Sequence, residues 1–329
     1  MAFLLSVDIG GTKTLFQLST DDNDVIYEQS FASAEYACFD DALSEFLNNE
    51  LLNSLTIESA CFAVAGPVLG RTGSVTNLPW QLNADDLADK FNIKHVHLCN
   101  DFEAVGYGIS CLGEGDVLTL QQGQPVEDAP RAVIGAGTGL GQAILIAVNK
   151  KWKVIATEGG HIDFAPTNKK QILLLEHMMA RFGQVSYERL VSGVGLVAIY
   201  EFLRAYKQYD EDPELRSAMI ADDPGAAISD FAINHGDKLA SQALDLFIDI
   251  YGSQAGNLAL SVLPRAGLYI AGGIAAKNLA RFETGAFIKA FTAKGKMSEL
   301  AKTIPVRLIL EPKVGLMGAR YLAQQEIIK

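Results

Sequence analysis

The chain is poor in the features that mark secreted, membrane-spanning or polyanion-binding proteins. Four cysteines in 329 residues, Cys38, Cys61, Cys99 and Cys111, are scattered without a CxxC or CxC pair. That excludes a disulfide scaffold. Lone cysteines in apolar stretches such as "SACFAVAG" and "HLCND" read as core residues of a reduced protein. No apolar run approaches the ~18 residues that a membrane span needs. The opening "MAFLLSVDIGG" carries no basic leader and no cleavage site, so a cytoplasmic protein with no membrane partner is expected. Basic residues are also scarce, 27 against 39 acidic, for a formal charge of −12. Nucleic acid and anionic lipid are held by concentrated Lys and Arg, so no nucleic-acid partner is expected.

What the chain has in quantity is apolar residues, 49%, and glycine, 30 residues. Its length suits two domains with ample core. "FLLSVDI" and "SACFAVAG" read as strands buried on both faces, and "SVTNL" as a short strand. "NADDLADKF" reads as a helix capped by Asn83, with Asp85 and Asp86 in the first turn where acids suit the helix dipole. "KHVHLCN" is a strand running into the helix "DFEAVGYGIS". The polar, turn-rich "GEGDVLTLQQGQPVEDAP" places a domain boundary just before it. "RAVIGAGTGLGQAILIAV" then repeats the opening design of strand, glycine turn and strand. Helices follow through "QILLLEHMMARFG" and "LASQALDLFIDIYGSQAGNLALSVL", with the acidic "QYDEDPELRSAMIADDPG" as an exposed excursion. "AGLYIAGGIAAKNLARF" returns to strand, glycine turn and helix, and "VGLMGARYLAQQEI" is a closing helix.

Neither glycine turn is a common nucleotide motif. Thr12 precedes Lys13-Thr14 where a P-loop needs glycine, and "GAGTGLG" places Leu140 where a dinucleotide fingerprint needs its third glycine. What remains is a pair of hairpins whose bare main-chain N–H groups can face phosphate oxygens. Gly10, Gly11 and Thr12 form the first, and Gly135, Gly137, Thr138 and Gly139 the second. Thr12 and Thr138 add hydroxyls. Asp8, at the end of its strand, can hold Mg²⁺ through water, since Mg²⁺ keeps several waters and takes few carboxylates. Each turn alone could be a tight turn needing glycine at positive φ. The two together, one entered by an acid, favour phosphate.

"DIGGTKT", "AVAGPV", "TNLPW", "NDFEAVGYG", "GAGTGLG", "EGGHIDFAP", "ERLVSG" and "IAGGI" occur in the order and spacing of bacterial glucokinases. The chain resembles that family, part of the hexokinase–actin–chaperone ATPase superfamily, from about residue 4 to about residue 322. The resemblance implies an α/β protein with a two-domain actin-like ATPase (ribonuclease H-like) fold. Its cleft would lie between a small α/β domain, residues 1–111 with 313–329, and a larger α+β domain, residues 112–312. It implies transfer of the γ-phosphoryl of ATP, with Mg²⁺, to the 6-hydroxyl of glucose, giving glucose 6-phosphate and ADP as the first step of glycolysis. A homodimer is the family-style expectation.

The same resemblance assigns roles to particular residues. Asp101 would be the general base on the 6-hydroxyl, kept ionised by its place at a helix N-terminus, and Asn100 would hold neighbouring hydroxyls. Glu158, His161 and Glu188 would bind sugar hydroxyls, with Asn77 and Gly137 as further contacts. Blander readings exist for each: Asn100-Asp101 as a helix cap, Glu158 as an exposed turn acid, His161 as a strand histidine, and Glu188 as a first-turn acid of a helix begun by Ser186. Adenosine would sit where Gly272 and Gly273 let a flat base approach, faced by Gly252, Gly256 and Asn257. A rival metal face of His95, His97 and Cys99 has no evident fourth ligand. The alternatives in function are a kinase of the repressor–ORF–kinase group acting on another hexose, and a non-catalytic sugar sensor. No cysteine follows "GGHIDFAP" as that group's zinc loop would require, and no DNA-binding helix pair precedes the first strand.

Overall fold

A computed structural model describes residues 2–52, 55–207 and 211–328. The backbone divides into two units. The first comprises Met1–Glu114, Trp152–Ala156 and Glu311–Lys329, the second Gly115–Lys151 and Thr157–Leu310. Among the described residues, no helix is long and apolar enough to cross a membrane.

The first unit is built on a five-stranded sheet ordered Val25–Ala32, Lys13–Thr20, Phe3–Ile9, Ile57–Val64, His95–Asn100. Leu4, Leu5, Ser6 and Val7 are wholly buried, as the unbroken apolar run predicts for a central strand. Phe3–Ile9 pairs in parallel with Ile57–Val64, and the latter with His95–Asn100, so that Ile9, Val64 and Asn100 lie level. Everything that follows these three strands therefore leaves the sheet at one end. One face packs on an aromatic cluster in which Phe16 stacks on Phe39 and Phe46, and Trp80 Nε1 donates to Tyr36 O at 3.1 Å.

The other face is lined by small residues, Cys61, Ala63 and Cys99, and covered by the helices Asp101–Gly108 and Val314–Ile328. Small side chains let these helices come close. A Cβ on Gly108 would lie 2.0 Å from Val314 O, and one on Gly318 would lie 1.8 Å from Ala104 O. Cys99 Sγ meets Cys61 Sγ at 3.7 Å.

Asn83 caps its helix, accepting from the N–H groups of Asp85 and Asp86. The strand expected at "SVTNL" instead ends at Ser74, and Thr76-Asn77 forms a turn with Asn77 at φ +68°. Asparagine tolerates that left-handed conformation, which a strand cannot use.

In the second unit the strand Arg131–Ala136 runs antiparallel to Leu140–Val148 and parallel to Gly267–Ala271, which is parallel to Val306–Ile309. Val117–Gln121 closes the far edge. The polar, turn-rich stretch thus contains an edge strand, each of whose residues is only partly buried or exposed. The helix Lys238–Val262 crosses beneath the sheet, with Phe247 and Tyr251 fully buried and Tyr251 Oη donating to Ile134 O at 3.2 Å.

Where it is described, the acidic stretch 208–225 is largely exposed, as expected, yet it is helical and anchored by a few buried side chains; residues 208–210 lie outside the described residues. Asp212 and Asp223 each cap a helix that opens on proline, Pro213–Ala221 and Pro224–Asp230, and Leu215 and Ile228 are wholly buried. Asp-Pro is a start signal, with proline at the first helical position losing only an N–H that had no partner there.

Replacing Gly318 with alanine should destabilise the first unit by ~1–3 kcal/mol, because the obstructing atom is a main-chain carbonyl rather than a yielding side chain. A thermal melt of Gly318→Ala reads this directly; an unchanged midpoint would mean that the two helices separate at no cost.

Candidate functional site

The level carboxyl ends of three parallel strands gather one set of predicted residues in the first unit. Asp8 is the penultimate residue of Phe3–Ile9, and Gly10–Thr12 turn directly after it. Gly10 N–H donates to Lys13 O at 3.0 Å, and Thr12 O accepts from Ser33 N–H. Among the described residues, the N–H groups of Gly11 and Thr12 find no protein acceptor, as a phosphate-facing hairpin requires. Thr76 N–H donates to Ala65 O at 2.9 Å, and a Cβ on Gly11 would lie 3.4 Å from Thr76 O. The turn bearing exposed Asn77 is thereby set beside the hairpin.

Asn100 closes the third strand and caps the helix Asp101–Gly108. Its Oδ1 accepts from the N–H groups of Phe102 and Glu103 at 2.9 and 3.3 Å, and its Nδ2 donates to Gly66 O at 3.2 Å. Asp101 Oδ1 accepts from Phe102 N–H at 2.9 Å. The capping role and a role toward ligand coexist here, because the cap is what fixes the carboxylate at the strand end.

Burial pushes the Asp8 carboxyl up to about 6, against the opposing pull of the Lys13 ammonium. The first turn of Val314–Ile328 lies against it, with Gly315 close enough that a Cβ there would be 3.5 Å from Oδ2. A carboxylate that is costly to ionise alone gains most from a cation. Among the described residues, no group of three or more His, Cys, Asp or Glu is placed to hold a metal. Mg²⁺ that keeps its waters and its nucleotide oxygens needs no such group, so a single Asp8 fits it.

A second set converges within the second unit. Gly137 N–H donates to Gly139 O at 2.9 Å, closing the hairpin between Arg131–Ala136 and Leu140–Val148. Gly137 therefore spends its own N–H. Among the described residues, the N–H groups of Thr138 and Gly139 have no acceptor. Glu158 precedes the short turn Gly159–His161, which passes over the hairpin so closely that a Cβ on Gly160 would lie 2.0 Å from Leu140 O. His161 Nε2 stands 3.9 Å from Glu158 Oε2 and its Nδ1 3.8 Å from Glu188 Oε1, with 59% of the imidazole side chain exposed. These three polar groups thus face one another and solvent.

Two expectations about local structure fail here. Ser186 begins no helix; it bridges Asp163, and Glu188 sits in the turn before the helix Gly193–Lys207. Gly252 and Gly256 do not wall a base site. Their missing side chains admit the helix Ala286–Thr292, with Phe287 O and Phe291 O each 2.4 Å from where a Cβ would stand. Asn257 is engaged there too, accepting from Lys294 Nζ at 2.8 Å. Gly272 is glycine for its φ of +87° and its approach to Ala136 O, whereas Gly273 has open space where a side chain would be. A cavity of about 1470 Å³ runs from Gly273 to Thr138, His161 and Glu188. Ser229, Lys277 and Asn278 also line it, and no motif marked them; Lys277 and Asn278 stand about one helical turn beyond Gly273.

The Glucokinase family model matches residues 5–326. The chain belongs to the glucokinase family. Glucokinase of Nostoc sp. is 46% identical over 340 residues, spanning 98% of this chain and 99% of that protein. The crystal structure of glucokinase from an Antarctic psychrotroph aligns at TM-score 0.82 and 29% identity, covering 99% of each chain. A ROK family glucokinase from Streptomyces griseus, solved in complex with glucose and AMPPNP, shares the fold at 21% identity and TM-score 0.69, over 98% of this chain and 100% of that one. The fold of this glucokinase-family chain is accordingly the two-domain α/β fold of actin-like ATPases.

Asp8 should cost the folded chain stability. An acid whose folded value is raised is destabilising once ionised, so stability falls as pH rises from about 4 to about 6 and stays lower above that. Asp8→Asn should therefore be up to ~3 kcal/mol more stable than the parent at pH 7.5, the gap closing toward pH 4. Urea unfolding at the two pH values checks this, and equal stability at pH 7.5 would refute it.

Proposed function

We propose that this chain is an ATP-dependent glucokinase, transferring the γ-phosphoryl of ATP to the 6-hydroxyl of glucose to give glucose 6-phosphate and ADP. The observation that carries the reading is the second unit's grouping. A hairpin with two unspent N–H groups is joined through one carboxylate to an exposed imidazole and a second carboxylate. Phosphate chemistry and polyol chemistry meet there. Carboxylates and imidazole suit a sugar because vicinal hydroxyls offer donors in pairs. Binding that leaves polar groups unpaired on the wrong epimer costs ~1–3 kcal/mol per buried group, the basis of selectivity for glucose.

In this reading Glu158, His161 and Glu188 accept and donate to hydroxyls of the hexose, with Asn77, Asn100 and Gly137 adding contacts. Asp101 is the catalytic base. As O6 bonds to the γ-phosphorus, the bond from that phosphorus to the β–γ bridging oxygen breaks, and the hydroxyl proton passes to the Asp101 carboxylate. In a loose transition state this transfer comes late, so orientation matters more than basicity. The hairpin N–H groups of Gly11, Thr12, Thr138 and Gly139, and the threonine hydroxyls, hold phosphate oxygens; Gly10 and Gly272 shape the turns that aim them, and Gly135 lies in the strand that leads into the hairpin. Mg²⁺ enters with ATP as part of the substrate and is held through water by Asp8. The adenosine end lies toward Gly273.

Glucose-dependent ADP formation in a coupled assay tests the activity. A protein that binds glucose with no turnover would be a sensor and would sink this reading. Asp101→Ala should lower kcat by ~10²–10⁴-fold while glucose still binds, the loss expected for a positioned base. Full turnover by that variant would remove Asp101 from the mechanism.

A further inference from the structure

Glu188 reaches the phosphate hairpin as well as the histidine. Its Oε2 accepts from Leu140 N–H at 2.9 Å, while its Oε1 points the other way, 3.8 Å from His161 Nδ1. Its main chain is held independently. Glu188 N–H donates to Gly160 O at 2.9 Å, and Ser192 Oγ donates to Glu188 O at 2.7 Å. Five residues along, Gly193 N–H donates to Gly137 O at 2.9 Å. The hairpin thus hangs from the 188–193 turn at both its limbs, through Gly137 O and Leu140 N.

Gly139 completes the fit. A Cβ there would stand 2.6 Å from Glu188 Oε2, and the three nearest atoms within 4 Å all belong to the Glu188 side chain. Its backbone is not in the left-handed region, so what a side chain here would meet is the Glu188 carboxylate, which it would have to displace. The two residues are matched to each other.

We propose that Glu188 is a positioning residue for the phosphate hairpin and couples hexose occupancy to nucleotide affinity. The proposal rests on the reading above in two respects, that a hexose hydroxyl bonds to Oε1 and that the Thr138 and Gly139 N–H groups hold nucleotide phosphate. A carboxylate with one oxygen tied and the other facing solvent retains torsional freedom. A hydroxyl on Oε1 removes that freedom, steadies Oε2, and so steadies Leu140 N–H and the direction of the Thr138 and Gly139 N–H groups beside it. Whichever ligand arrives first bears the ordering cost, and the second binds more tightly by the same factor in either order. The lever is short: one side chain, with bonds to neither end longer than a hydrogen bond plus a van der Waals contact.

Calorimetric binding of AMPPNP, with and without saturating glucose, tests this on the parent and three variants. In the parent, glucose should tighten AMPPNP by ~5-fold or more, the low end of measured couplings. Glu188→Ala should weaken AMPPNP several-fold even with no glucose present, because Leu140 N–H loses its acceptor. Glu188→Gln keeps a carbonyl oxygen for that N–H and should restore sugar-free AMPPNP affinity to near the parent's. Gly139→Ala should weaken glucose binding with no nucleotide present, because its methyl displaces Oε2 and with it the Oε1 that faces the sugar. The proposal falls if Glu188→Ala binds AMPPNP as the parent does, if alanine and glutamine behave alike, or if Gly139→Ala leaves glucose affinity unchanged. Binding of AMPPNP and of glucose by the parent reads the functional assignment, and the variants read the link, so failure of one is told apart from failure of the other.

Discussion

A hairpin made largely of glycine has few side chains with which to hold its own shape, so something outside it must. In the second unit that support is the Glu188 carboxylate on Leu140 N–H, backed by Gly193 N–H on Gly137 O. The bonds leave Thr138 and Gly139 free to present N–H groups outward. They also draw the "EGGH" turn against the hairpin, since Gly160 must pass Leu140 O with no side chain between. The nearness of His161 and Glu158 to the hairpin follows from that packing rather than from any contact they make themselves.

The first unit reaches a comparable result by register. Parallel pairing sets Ile9, Val64 and Asn100 level, so a glycine hairpin and a helix N-terminus bearing Asp101 emerge at one end, and Thr76 N–H on Ala65 O brings the turn carrying Asn77 there too. Open α/β sheets place ligands at the carboxyl ends of their strands for this reason. The arrangement has a cost at Asp8, whose burial raises its carboxyl and makes the ionised form a liability to the fold. Sites commonly store such a cost, since a charge fully satisfied by the protein would have little left to offer a ligand.

Close helix packing supports that end of the sheet. Gly108 and Gly318 let Asp101–Gly108 and Val314–Ile328 nearly touch main chain to main chain, over a sheet face of alanine and cysteine. The first helix begins at Asp101, so its seating determines where that carboxylate stands. The second begins beside Asp8. Residues with no chemistry of their own thus govern the position of two acids.

Much was legible in the chain itself. Continuous apolar runs announce buried strands because no face of them meets water, and Asn83 and Asn100 announce helix starts because an amide oxygen is what the unpaired first N–H groups require. The motif set named the family and, through it, the residues assigned to the sugar and the proton, while the glycine turns by themselves pointed to phosphate. Other features had no local signature. The helices begun by Asp212 and Asp223, each burying one narrow face, hid behind their acidic composition, and Gly252 and Gly256 looked like room for a base when another helix fills that room. That Gly137 spends its N–H inside the turn is decided by the hairpin's geometry, and that Gly139 and Leu140 answer to Glu188 depends on residues some fifty positions apart. Composition and spacing along the chain report what a residue can bond to; only folding decides which distant atom is brought within 3 Å of it.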